Sequence, residues 1–127
     1  GRKMNIPGAF LEPTILTGVT PDMTVANEEV FGPVLSVLKF GADEEAIKIA
    51  NGTPYGLVGG VFTSNLDRAT RAARQLRAGQ VFVNEWYAGG VETPFGGYGK
   101  SGYGREKGRE ALWNYVQTKN VAIKLKG

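Results

Sequence analysis

Apolar positions in this 127-residue chain follow two different periods. Val34–Phe40 (VLSVLKF), Leu57–Thr63 (LVGGVFT) and Gln80–Asn84 (QVFVN) are nearly unbroken apolar runs. Short apolar runs rich in β-branched residues predict strands covered on both faces. Ala9–Leu16 (AFLEPTIL) predicts a further strand, which Pro13 confines to an edge or a bulge. Between the runs the period lengthens to that of a helix. Asp43 caps an expected helix reaching Asn51, with Ala46, Ile47 and Ala50 on one face and Gly52 and Pro54 beyond its end. Ser64 or Asn65 caps another, running to Ala78 and stopped by Gly79. Its apolar stripe is Leu66, Ala69, Ala73 and Leu76, and Arg68, Arg71, Arg74 and Arg77 face outward. Arg105–Tyr115 predicts a third helix, and Asn120–Leu125 (NVAIKL) a last strand of alternating apolar positions. Strands alternating with amphipathic helices predict an α/β fold, a largely parallel sheet with flanking helices. The final strand fits that sheet poorly and is expected to pair elsewhere, including with another subunit.

Composition narrows the chemistry. The length suits one domain at most, with one core. Nineteen glycines are about twice the usual share, so the backbone makes many tight turns or close approaches. With no cysteine and no histidine, the chain holds no disulfide, thiolate nucleophile, Ser-His-Asp triad or cysteine–histidine metal site. No apolar run is long enough to span a membrane. The opening Gly1–Ile6 has no signal-peptide pattern and does not resemble a native start, so a piece of a longer, cytoplasmic protein is expected.

The net charge of +3 is uneven, at −3 over residues 1–60 and +6 over residues 61–127. A basic half can serve nucleic acid. Here the arginines sit at helix spacing without interleaved aromatics, which predicts a solvated face and no nucleic-acid partner.

Glu85–Gly104 is a long loop with seven glycines and five aromatics, and a loop of that length is usually functional. Gly97–Gly102 matches GxGxxG by letter, but no strand precedes it and no acid follows at the right distance, so a dinucleotide turn is rejected. Gly99-Lys100-Ser101 resembles the end of a P-loop, but the position of its first glycine holds Pro94. Glu28–Pro33 (EEVFGP) is more telling. Extended, Glu29 and Phe31 point the same way, so a carboxylate could accept hydrogen bonds from sugar hydroxyls beside an apolar ring. A capped loop with a packed Phe31 accounts for the spacing equally well.

Four stretches in order resemble the NAD(P)-dependent aldehyde dehydrogenase superfamily: Gly8–Leu16 (GAFLEPTIL), Glu28–Pro33 (EEVFGP), Gln80–Asn84 (QVFVN) and Pro94–Glu106 (PFGGYGKSGYGRE). Asn51–Leu57 (NGTPYGL) and Thr118–Leu125 also fit, so the resemblance covers essentially the whole chain. It implies the C-terminal part of the catalytic domain over residues 1–117 and an oligomerisation tail over 118–127. It further implies that Glu29 holds the nicotinamide ribose of NAD or NADP and that Phe31 lies beside the nicotinamide ring. Asn84, Trp86, Tyr87 and Phe95 then border the substrate tunnel for an aldehyde. Arg105 and Glu106 fix the C-terminal region near the subunit interface. Val121 and Ile123 belong to a tail strand that joins a neighbouring subunit of a dimer or tetramer.

In that family an upstream cysteine attacks the aldehyde, hydride passes to the nicotinamide, and water hydrolyses the thioester. The catalytic cysteine, base glutamate and oxyanion-hole asparagine lie outside this stretch, so the isolated chain is expected to be inactive. Many relatives carry a lysine directly after the PFGGY tyrosine, where this chain has Gly99 and then Lys100. The alternative is a stand-alone, non-catalytic assembly or binding module that uses the last strand.

Overall fold

The computed structural model describes residues 1–127. Regular structure begins with β1 (Thr14–Leu16), α1 (Thr24–Asn27) and β2 (Val34–Ser36). It continues through α2 (Asp43–Ala50), β3 (Val58–Val61), α3 (Leu66–Gln75) and β4 (Gln80–Val83). Short 3-10 turns follow at Gly99–Ser101 and Arg109–Tyr115. The α/β order and the parallel pairing match the sequence expectation, but the single sheet does not form. Instead β1 pairs with β2 and β3 with β4, as two separate two-stranded parallel sheets.

The expected strands are also longer than those observed. Pro13 ends the first on its N-terminal side, leaving only Thr14–Leu16, while Leu11 makes an isolated antiparallel bridge to Lys3. Ladders require partners, and two strands supply few. For the same reason the apolar runs are not covered on both faces. Ile15 and Leu35 stand opposite one another in register and remain 66% and 59% exposed. Only six residues are buried, including Val19, Ala69, Ala72 and Phe82, which is too few for the full core expected from chain length.

α3 is the longest helix, at 10 residues. Asn65 is its cap, and its side-chain oxygen accepts the Arg68 N–H at 2.9 Å. The helix packs on β3 and β4 through Ala69 and Ala72, with Leu76 half-buried at its end. Leu66 and Ala73, assigned to the inner stripe by period, are exposed, so the contact face is rotated toward Ala72.

Asp43 does not cap α2. Ala42 occupies that position, and the Asp43 carboxylate instead receives Arg68 Nε and Arg71 Nη2, each at 2.8 Å, while Arg71 Nη1 meets Glu44 at 3.0 Å. Two of the four outward arginines therefore clamp α3 to α2. The Arg68 hydrogen bond holds the Asp43 carboxyl below its ordinary value of 3.8, with Arg71 adding in the same direction. A depressed folded pKa contributes stability above the ordinary carboxylate range, and that stability is lost as pH falls through the folded value. Asp43→Asn is thus expected to lower stability at neutral pH and to flatten its loss in acid, as thermal melts across pH would show. An unchanged acid limb would exclude this clamp as its source. Because the carboxylate is still 26% exposed, solvent screens the pair and the effect is small.

Arg105–Tyr115 is not an α-helix. Residues 105–108 are irregular, and Arg109–Tyr115 forms 3-10 turns with Leu112, Trp113 and Tyr115 exposed. With no surface in the chain to bury Leu112 and Trp113 against, little favours propagating a helix. Residues 116–127 have no regular structure, so the expected Asn120–Leu125 strand has no ladder partner within the chain. Val121, Ile123 and Leu125 are all exposed along it. No helix is long and apolar enough to cross a membrane.

Candidate functional site

The segment Glu28–Pro33 links α1 to β2, and its Pro33 carbonyl accepts the Thr14 N–H at 2.8 Å, tying the turn to β1. Phe31 sits within it at φ 52° and its ring is 90% exposed. A bulky residue in the left-handed region costs about 1–3 kcal/mol, and such strain concentrates at binding sites. The packed-Phe alternative is therefore not what forms: Phe31 is presented to solvent. The Glu29 carboxylate makes no hydrogen bond or ion pair within the chain and lies between two open grooves. One, of about 500 Å³, runs past Asn27 to Leu57–Gly60 of the β3 region. The other, of about 570 Å³, is bordered by Phe31, Val34 and Ser36. A free carboxylate two residues from a bare ring leaves hydroxyl-accepting and ring-facing surfaces on one turn.

A second group of site residues follows β4. Asn84 and Tyr87 also have left-handed backbones, at φ 55° and 63°. Asn84 tolerates this conformation well, and its side chain is fully engaged. Its oxygen accepts the Thr63 N–H at 2.7 Å and its amide donates to the Thr63 carbonyl at 2.9 Å, which locks the ends of β3 and β4 together. The chain then reverses, so that Trp86 and Tyr87 fold back over Phe82, with ring centroids at 5.8 Å and 6.1 Å. Phe82, only 7% exposed, is their anchor. Sequence reading quoted it within QVFVN without giving it this role; its position in the middle of the apolar run is the signal that could have found it.

Phe95 lies apart from this aromatic cluster. Its backbone exchanges two hydrogen bonds with Glu106, each 2.7 Å, and Lys107 Nζ lies 5.6 Å from its ring. The structure thus groups Trp86 with Tyr87, and Phe95 with Glu106 and Arg105, while Glu29 and Phe31 form a third locus. Val121 and Ile123 touch none of these through an assigned bridge or ladder.

The Asn51–Leu57 segment ties these pieces together. Asn51 donates to the Gln75 carbonyl and accepts the Arg77 N–H, both at 2.8 Å, pinning the end of α3 to the end of α2. The Gly56 carbonyl accepts N–H groups from Gly79 and Tyr98, and the Gly56 N–H donates to Ser101 Oγ at 3.1 Å. The Gly79 backbone packs directly on the Gly96 carbonyl, where a β-carbon would overlap the oxygen. The glycine-rich loop is therefore mounted beside the β3–β4 unit at several points, through Gly56, Gly79 and the Pro54 carbonyl that accepts the Lys100 N–H at 2.9 Å.

Comparison with known proteins gives this arrangement a lineage. The model of the aldehyde dehydrogenase family matches residues 1–121. Aldehyde dehydrogenase 1 of Tanacetum cinerariifolium is 51% identical over 121 residues, covering 95% of this chain and 24% of the relative. Betaine aldehyde dehydrogenase of Brucella anthropi is 50% identical over 118 residues, covering 93% and 24%. Among solved structures, indole-3-acetaldehyde dehydrogenase of P. syringae, in complex with NAD+ and IAA, superposes with a TM-score of 0.87 at 52% identity, covering 93% of this chain and 24% of that one. The chain spans about a quarter of the length of the relatives it matches, with the same fold over that quarter, and it belongs to the aldehyde dehydrogenase family.

Proposed function

We propose that these residues are the C-terminal part of the catalytic domain of an enzyme that oxidises an aldehyde to a carboxylic acid with NAD or NADP. Residues 1–117 carry the site elements, and 118–127 form the assembly tail. The observation that carries the reading is the Glu28–Pro33 turn: a strained, bare Phe31 ring beside a carboxylate without a partner. These residues fit a nicotinamide nucleoside, which offers hydroxyls to Glu29 and a flat face to Phe31. When bound, that cofactor accepts hydride from the substrate. This chain's part is to hold and orient. Glu29 accepts the ribose hydroxyls, and Phe31 limits where the ring can lie. Trp86, Tyr87 and Phe95 give the aldehyde an apolar passage, and Asn84 fixes the turn that aims the first two. The nucleophile would be a cysteine supplied from outside these residues, adding to the aldehyde carbon as a hemithioacetal that becomes a thioester once its hydride is lost.

The bare Ile15–Leu35 face is then covered by the remainder of the catalytic and cofactor-binding domains. Val121, Ile123 and Leu125 alternate along the tail as an added strand requires, in a cytoplasmic dimer or tetramer. Arg105 and Glu106 precede that tail, and Asn114 donates to the Arg105 carbonyl at 2.7 Å, tying the Arg109–Tyr115 turn to them. No observation favours the stand-alone module.

Glu29→Gln in the full-length enzyme is the direct test. Losing a charged acceptor for two hydroxyls should raise the KM for the cofactor about tenfold or more, with far-UV circular dichroism unchanged. A cofactor KM equal to that of the unsubstituted enzyme removes Glu29 from the site.

A further inference from the structure

We propose that Arg105 is a positioning residue for the aldehyde, acting through Phe95; this rests on the tunnel role proposed for Phe95 above. Residues 95–106 form a closed loop whose ends are locked by the paired Phe95 and Glu106 backbone hydrogen bonds. Between those ends lie five glycines, at 96, 97, 99, 102 and 104, so the backbone has little stiffness of its own. Bonds to Pro54 and Gly56 hold its outer side, through Tyr98, Lys100 and Ser101, and one side chain braces its interior. Arg105 Nη1 donates to the carbonyls of Gly97 at 3.1 Å and Gly104 at 2.6 Å. The same guanidinium lies 5.2 Å from the centre of the Tyr98 ring. A single planar cation therefore spans the loop interior from residue 97 to residue 104.

The geometry suits arginine. One amino group, Nη1, reaches both carbonyls while the guanidinium carbon lies over the Tyr98 ring, and a lysine offers a point charge without the delocalised group that covers the ring. Phe95 is coupled to this device directly, because its backbone is fixed by the residue next to Arg105. With Arg105 removed, the Gly97 and Gly104 carbonyls lose their shared donor and the loop relaxes, so the Phe95 ring loses its set position. A purely structural arginine would disturb all ligands alike. A positioning one separates aldehyde from cofactor, since Glu29 and Phe31 belong to a different turn.

The test is steady-state kinetics of the full-length enzyme with propanal and benzaldehyde as probes, comparing Arg105→Ala, Arg105→Lys and Phe95→Ala. Arg105→Ala should raise the aldehyde KM about tenfold and leave the cofactor KM within about twofold, because small displacements of a positioning group carry large kinetic effects. Arg105→Lys should recover part of the loss. If Arg105→Ala does not fold, Tyr98→Leu, which removes only the stacked ring, should shift the aldehyde KM in the same direction by less. Aldehyde and cofactor KM rising together, or neither moving in a folded variant, overturns the inference. An aldehyde KM that responds to Phe95→Ala but not to Arg105→Ala sinks the positioning role alone. A KM indifferent to Phe95→Ala sinks the tunnel reading beneath it.

Discussion

Gly79→Ala is expected to destabilise the protein by about 4 kcal/mol or more, a size confined to substitutions the surrounding structure cannot absorb. The added methyl would overlap the Gly96 carbonyl oxygen, and a backbone atom cannot swing aside as a side chain does. The loss is compounded by position. Gly79 begins the approach to β4, and its N–H donates to the Gly56 carbonyl at 3.0 Å, beside the Tyr98 N–H that binds the same oxygen. Pushing Gly96 away therefore strains the mount of the whole glycine-rich loop. A sharp fall in melting temperature and soluble yield of the full-length enzyme is the expected result. Gly32→Ala is the control, since its methyl would meet nothing closer than 3.9 Å. Equal melting temperatures for the two variants would show that the Gly79–Gly96 contact yields easily.

The isolated 127 residues are expected to oxidise no aldehyde with either NAD+ or NADP+. The chain contains no cysteine to form a thioester. On the proposed reading, what remains is half a binding site: a cofactor turn, an aromatic cluster and a loop. Such groups orient a substrate without opening a route for hydride to leave it. Reduced cofactor appearing with purified chain, free of host dehydrogenases, would refute the thioester route. Co-expression with the rest of the enzyme should restore turnover if the bare Ile15–Leu35 face is a docking face within one fold.

Local features were legible in the sequence to the extent that their causes were local. The helix over Leu66–Gln75 follows from an Asn65 cap and a period of apolar positions, but it ends three residues short of the expected Ala78, at an extended Leu76 rather than at Gly79. The Glu28–Pro33 turn was visible because Gly-Pro rigidity and a carboxylate–aromatic spacing need no distant partner. Features that depend on contact with other segments were not legible. Period alone placed Ala73 inward, but the surface offered by β3 and β4 selects Ala72. Asp43 had the right chemistry for a cap, yet two arginines a helix away compete for its carboxylate more strongly. Arg105–Tyr115 has helix-forming residues and no surface to lean on, so propensity did not suffice. The left-handed backbones of Phe31 and Tyr87 had no signature at all, since neither residue type favours them.

The two parallel ladders have a kinetic consequence. Partners in β1–β2 are 20 residues apart and partners in β3–β4 are 22 apart, with each crossover lying wholly inside its own unit. Closing loops of this length is a fast event, far quicker than assembling distant strands. Each unit therefore nucleates on its own timetable, and neither waits for the other. Docking of the bare Ile15–Leu35 face onto the segments that cover it is then expected to be the slower step, and mutations there should slow it more than the closure of either ladder.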